Sequence, residues 1–316
     1  MREDVRRNWL VVVPLALYLA LSVAAVLVWD RNGRHTLTGD EPHYLVVASA
    51  IAEDGTFENT AAYAREFRAR EIFPTGLAER DAVPSPENTH AVAGPHGLFN
   101  VHNIGLPLLL AVPFALGGVL GAKVAMIAFN ASVVLACWGA TRVFTDDPVA
   151  RAWATGVAAV AAPFVFAAGQ IYPDVLAGAI SLAAVVRCAR IDARVRLDGV
   201  GAIAVLIAFL PWLQLKFTAV AIVLAVALAV RGYVVSGRRQ IATSALAPLV
   251  VSLALHAYYN WYAFGRVTGP YGEDALEPGA RGAMVLLGLH VDTNQGWVWQ
   301  APVWLIGVAA SAALIV

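Results

Sequence analysis

The sequence predicts an all-α, polytopic protein that crosses a membrane about eight times. Three observations carry that reading. Of 316 residues, 59% are hydrophobic, and the mean hydropathy is +0.66. Only 14% are charged, against about 25% in a soluble domain. The apolar residues gather in long runs that reach the ~20 residues needed to span a hydrocarbon core, and several are separated by short turns rich in arginine. Formal net charge is zero, so nothing points to nucleic acid as a partner. Cys137 and Cys188 both fall inside apolar runs and read as small buried hydrophobes rather than a disulfide.

Arg2, Arg6 and Arg7 precede the first run, about Trp9 to Trp29. That basic flank places the N-terminus in the cytoplasm. A cleaved signal peptide is the alternative, but the run is long for one and no clear small-x-small cleavage site follows it. It is read as a retained first span. Residues 30–102 form the only long polar segment, extracytoplasmic on this layout, with juxtamembrane helices. Loops this long are usually functional. Asn103 to Gly118 is apolar but interrupted by Gly105, Pro107, Pro113 and Gly117-Gly118, and reads as re-entrant or interfacial.

The next span is about Gly121–Val143, and Arg142 to Arg151 turns in the cytoplasm. A third span, about Ala152–Gly169, delivers Tyr172-Pro173-Asp174 to the outer face, and a fourth returns over about Val175–Val186. Arg187, Arg190, Arg194 and Arg196 then mark the cytoplasm. Gly199 to Val230 is apolar apart from Gln214 and Lys216, so a tight outer turn at Pro211–Lys216 joins two spans. Arg231, Arg238 and Arg239 face inward again, and a seventh span covers about Ile241–Phe264. Gly265 to about Gly296 is a second outer loop carrying Glu273, Asp274, Glu277, Arg281, His290 and Asp292. An eighth span starts near Trp297. The whole chain, 1–316, reads as one transmembrane domain without internal repeat. It stops at Val316 inside an apolar run, either at a membrane face or as part of a longer protein.

The chemistry gathers at Leu37-Thr38-Gly39-Asp40-Glu41-Pro42-His43-Tyr44-Leu45. Asp40 fits an N-cap and Pro42 a first helical turn. Tyr44, Val47, Ala48 and Ile51 recur at the spacing of an amphipathic surface helix that Gly55 can end. Taken alone, an acidic cap before a surface helix explains this stretch equally well. On the layout above, however, Asp40, Glu41, His43, His102, Asp174 and Lys216 all fall at one membrane face. Singly, Lys216 can snorkel, His102 can be a loop residue and Asp174 can cap a helix. Ionisable groups at membrane depth are expensive and usually functional, and their convergence favours a site.

These motifs resemble the GT-C superfamily of integral-membrane glycosyltransferases, in the branch of protein O-mannosyltransferases and lipid A aminoarabinose transferases. The similarity lies in a first span, then a long outer loop opening with Asp40-Glu41 and closing at Val101-His102-Asn103-Ile104-Gly105-Leu106-Pro107. Tyr172-Pro173-Asp174 and Leu213-Gln214-Leu215-Lys216 follow. Where relatives often have Pro after the His, this chain has Asn103. The resemblance implies a polyprenyl-phosphate sugar as donor, a glycan, lipid or protein hydroxyl as acceptor, and a surrounding membrane lipid phase. It implies Asp40 as the base, with Glu41 and Asp174 as further catalytic carboxylates that orient the acceptor, hold the sugar or share a divalent ion. Lys216 would hold the phosphate, His43, Tyr44, His102 and Tyr172 would bind substrate, and Trp212 would wall the prenyl tail. No metal ligand or cofactor is assigned, because a hard-cation site usually needs more oxygen ligands. A transporter or flippase would also carry intramembrane polar groups, but usually with repeats and a midplane site. A silent scaffold would not need the acidic pair.

Overall fold

The computed structural model describes residues 9–31, 37–271 and 279–291. Two compact units divide the chain, Met1–Gly269 and Pro270–Val316. Arg2, Arg6, Arg7, Glu273, Asp274, Glu277, Asp292 and the span expected near Trp297 lie outside the described residues. The second unit is described chiefly at one helix, Ala280–Val291, which occupies part of the stretch expected as an open outer loop.

The first unit is mostly helical. Helix α1 (Val12–Arg31) follows a single 3-10 turn. The first loop then builds α2 (Glu41–Ser49), a π-helical turn (Ala50–Asp54), α3 (Thr60–Ala69) and a hairpin of β1 (Ala91–Gly94) and β2 (Gly97–Asn100). Next come α4 (Gly105–Asn130), α5 (Ser132–Thr141), α6 (Pro148–Ala159), α7 (Ala162–Ala167) and α8 (Asp174–Ala189). Helices α9 (Leu197–Leu213), α10 (Thr218–Ser236) and α11 (Arg239–Phe264) complete the unit, with a 3-10 turn at Leu215–Phe217 between the first two. That turn falls where the Pro211–Lys216 break predicts it.

Among the described residues, four stretches are long and apolar enough to cross a membrane: Trp9–Trp29, Gly105–Thr141, Leu215–Ser236 and Arg239–Phe264. Helix α9 is apolar but shorter. The third expected span is divided between α6 and α7, with Val160-Ala161 as the break, and α8 has 16 residues. A count of about eight would have to include these shorter pieces. The charge pattern follows the helix ends. Arg187 and Arg190 close α8, about 20 and 24 Å from Asp174 at its start given 1.5 Å per residue. Arg187, Arg190, Arg194 and Arg196 line one cavity of about 750 Å³ at that end.

The expected surface helix after Asp40 is not a surface helix. Glu41, Pro42, Tyr44, Leu45, Val46, Val47, Ala48 and Ser49 are all buried. The apolar residues surround α2 instead of forming a stripe, so it packs on α4 as a core element. Gly55 does end this segment, in the left-handed conformation at φ +64. The hairpin was not expected, because each strand is only four residues long. It pairs Ala91 with Asn100 and Gly94 with Gly97. Gly94 lies so close to the end of α11 that a Cβ would stand 1.7 Å from the Ala263 carbonyl oxygen. His96 stacks on Tyr262 at 4.1 Å and fixes the same contact.

The interrupted segment at 103–118 has a physical basis. Within α4, Gly117 and Gly118 leave helical geometry, with Gly118 at φ +55 and ψ −143. A Cβ on Gly121 would stand 2.2 Å from the Pro113 carbonyl oxygen. In a straight helix eight residues span about 12 Å, so the two arms of α4 fold sharply toward each other at the glycine pair. Gly118→Ala is therefore expected to cost about 1–3 kcal/mol, because its backbone region is almost closed to residues with a Cβ. Gly117→Ala, with negative φ and no neighbour within 4 Å, should stay within about 0.5 kcal/mol of the parent. Thermal unfolding in detergent compares the two, and equal losses would sink the bend as the cause.

Candidate functional site

The register of the hairpin assembles the centre of the site. Ala91 opposes Asn100, so the flanking residues meet at its open end, where the Val101 amide donates to the His90 carbonyl at 3.1 Å. His90 and His102, twelve positions apart in sequence, thereby face each other with Nδ1 and Nε2 at 3.1 Å. Asp40 Oδ1 lies 3.6 Å from His90 Nδ1 and 3.4 Å from His102 Nε2. The Asp40 side chain is 38% exposed and that of His102 only 9%.

Asp40 stands at the N-cap position of α2, but its carboxylate does not cap the helix. The His43 and Tyr44 amides bond to the Asp40 carbonyl oxygen instead. The side chain is thus left for the histidines, which corrects the expectation of a capping carboxylate held by the helix terminus. Glu41 points elsewhere. It is 3% exposed, its Oε2 accepts the Thr38 amide and its Oε1 accepts the Ile171 amide, each at 2.8 Å. Glu41, expected as a catalytic carboxylate, has both oxygens committed to backbone amides.

Tyr172 completes this tie. Its hydroxyl donates to the Thr38 carbonyl at 3.1 Å and accepts from the Asp40 amide at 3.3 Å. Gly39, at φ +56, makes room for it, since a Cβ there would meet that hydroxyl at 2.7 Å. Burial raises the Tyr172 phenol pKa, and the charges of Glu41, Asp40 and Asp174 push the same way. All three carboxylates therefore act on one end of the bundle.

Tyr44 stacks on His102 with centroids 4.8 Å apart and fixes that ring. Tyr63, which the sequence did not single out, receives the His90 amide and the Asn100 side-chain amide on its hydroxyl. Its own proton is then free for His43 Nδ1, 2.8 Å away, which leaves His43 neutral and protonated on Nε2. Asn103 donates to the Pro211 carbonyl at 2.7 Å and contacts His256 Nε2 at 2.8 Å. Asn103 thus anchors the loop to α9 and α11.

Asp174 and Lys216 form an ion pair at 2.7 Å, each side chain 53% exposed. Antiparallel α8 and α9 bring them together, because one begins and the other ends at the same level. Trp212, expected to wall the prenyl tail, has contacts inside the bundle. Its indole N–H donates to Ser252 at 2.9 Å and its ring packs on His256 and Tyr259 in the α9–α11 interface. An apolar groove of about 480 Å³ does exist on another face, lined by Leu109, Phe129, Leu176, Ile180, Leu206 and Phe209 among others. Leu176 lies two residues from Asp174 in α8, about 3 Å along the axis.

No family model, no curated protein and no solved structure matches the chain. His90, Tyr63 and Asn100 are the site residues that sequence reasoning missed. Their signal was the Gly-Pro-His-Gly turn at 94–97 between two short apolar runs, a hairpin pattern that sets His90 opposite Val101 and so brings it beside His102.

Two outcomes follow. Glu41→Ala leaves the Thr38 and Ile171 amides without their acceptor, at about 1–3 kcal/mol each. Unfolding should show a large loss of stability, with Glu41→Gln intermediate; unchanged stability would overturn the positioning role. The second concerns acid. Burial, aided by the charges of His90 and His102, lowers the His43 pKa from 6.5 to about 4, against the opposing pull of Asp40. Burial likewise lowers that of His102, again against Asp40. The unfolded chain takes up these protons first, so stability is full above about pH 6.5 and falls as pH drops toward 4. For His43 the loss at pH 5 amounts to about 2 kcal/mol. Unfolding in chelator at pH 7.5 and 5 should show this, and His43→Asn should flatten the dependence; equal pH slopes would remove His43 as its source.

Proposed function

We propose that the protein is an integral-membrane glycosyltransferase of the GT-C type, moving a sugar from a polyprenyl phosphate to an acceptor hydroxyl. The observation that carries this reading is the arrangement at one end of the bundle. An accessible carboxylate, Asp40, shares that end with an exposed cation, Lys216, whose partner Asp174 begins the helix that walls an apolar groove. A lipid-linked phosphosugar needs these three features: a greasy seat for the tail, a cation for the phosphate and a base beside the sugar.

In this mechanism the acceptor oxygen forms a bond to the anomeric carbon as the bond from that carbon to the phosphate oxygen breaks. The acceptor proton passes to the Asp40 carboxylate. The electron pair of the broken bond leaves on the polyprenyl phosphate, and Lys216 stabilises that charge. Exchanging Asp174 for phosphate on Lys216 is cheap, since an exposed ion pair is worth only about 0–1 kcal/mol. Asp174 holds the ammonium in position until the donor arrives. Glu41, Tyr172 and Tyr44 keep Asp40 and His102 in place, and neutral His43 lines the same pocket. The reading puts the N-terminus and the Arg187–Arg196 turn in the cytoplasm and the Asp40 site outside.

Asp40→Asn should lower turnover by ~10²-fold or more with donor binding largely kept, as for loss of a general base. Lys216→Ala should mainly weaken donor binding. Transfer assays with a polyprenyl-phosphate sugar measure both, and full activity in Asp40→Asn would end the proposal. The orientation is checked separately by membrane-impermeant thiol labelling. A cysteine at position 85 should react from outside and one at position 194 should not; the reverse would invert the topology.

A further inference from the structure

We propose that the Asp40, His90 and His102 cluster has a second capacity: it binds one divalent transition-metal ion of the zinc class. Their three ligand atoms form a triangle with edges of 3.1, 3.4 and 3.6 Å. A tetrahedral zinc with bonds of 2.0–2.1 Å needs its ligand atoms about 3.3 Å apart. These edges match one face of that tetrahedron. Hydrogen bonding alone serves the triangle poorly. A proton on either facing nitrogen covers one edge at a time, and protons on both set two donors against each other at 3.1 Å. A cation above the triangle meets all three lone pairs at once.

The ligand atoms are also held in advance. The hairpin end fixes the two histidine backbones, through the Val101–His90 bond and through the bond from the His102 amide to Asn100 Oδ1 at 2.9 Å. The Tyr63 hydroxyl accepts the His90 amide, and Tyr44 stacks on the His102 ring. These contacts fix the two backbones and one ring, so the ligand atoms are placed before an ion arrives. Two imidazoles and one carboxylate suit zinc and its neighbours rather than magnesium or calcium, which take oxygen ligands. Three protein ligands leave a fourth position open, as in catalytic sites. With Oδ1 of Asp40 on the ion, Oδ2 stays available to an acceptor hydroxyl. The binding itself does not rest on the transferase reading, and its test does not use activity.

The full chain, purified without a histidine tag and stripped with chelator, is dialysed against Zn²⁺ alone and its metal content measured by mass spectrometry. About one equivalent is expected. His90→Ala and His102→Ala should weaken binding by ~100-fold or more, beyond the 10–100-fold typical of losing an outer partner. Asp40→Asn, which keeps the side-chain shape, guards against misfolding of the alanine variants and should also weaken binding. Co²⁺ in place of Zn²⁺ should give the intense visible absorption of a four-coordinate site in the parent protein and lose it in the variants. A folded parent that retains no zinc, or variants that retain as much as the parent, overturns the proposal. Metal bound with Asp40→Asn fully active as a transferase would instead sink the mechanism and leave the transferase reading without its base.

Discussion

One buried carboxylate ties together the end of the bundle that carries Asp40. Glu41 gives each of its oxygens to a backbone amide, one three residues away and the other 130 residues away. The first contact shapes the turn that leads into α2. The second ties that turn to the loop before α8. Without this clamp, Tyr172 would not reach the Asp40 amide and Asp40 would have no fixed relation to Asp174. A desolvated charge is costly unless hydrogen-bonded, and here the cost is offset by charge-assisted bonds on both oxygens. The acidic pair therefore divides its labour: Glu41 is spent on backbone amides, and Asp40 turns its carboxylate to His90 and His102.

The protein separates its charges by helix length. Arg187, Arg190, Arg194 and Arg196 crowd one end of α8 and α9, with Asp192 and Asp198 among them, while Asp174 and Lys216 meet at the other. Between them the bundle is sealed by small and branched residues, with Ala177, Ala184, Ala204, Ile207 and Ala225 buried in one continuous core. Small residues let helices approach closely, the usual means of packing where lipid offers no hydrophobic drive between helices.

Much of this was legible in sequence because it follows from hydropathy and punctuation. The first span, the turn at Lys216, the end of α2 at Gly55 and the bend at Gly117-Gly118 each have a strong local cause. The site was legible in part. Asp40 does meet His102 and Tyr172, and Asp174 does meet Lys216. What was lost depends on partners distant in sequence. Glu41 and Asp40 look equivalent until the Ile171 amide takes one of them. Trp212 looks like a lipid-facing aromatic until Ser252 accepts its N–H. His90 is one histidine in a polar loop until an eight-residue pairing sets it against His102. The burial of α2 was equally invisible, because its apolar pattern fits a surface stripe until α4 covers the other side.

The seating of the hairpin on α11 has a consequence for the order in which the molecule matures. Gly94 and His96 rest on Ala263 and Tyr262, about 170 residues further along the chain. A membrane protein is inserted from its N-terminus as it is made. The loop bearing both histidines thus emerges early and precedes by far the last of the four long apolar stretches, on which its hairpin rests. Its pocket closes only when nearly the whole first unit is in place. A chain truncated before α11 would carry every residue of the Asp40–His90–His102 cluster and still lack the floor on which the cluster stands.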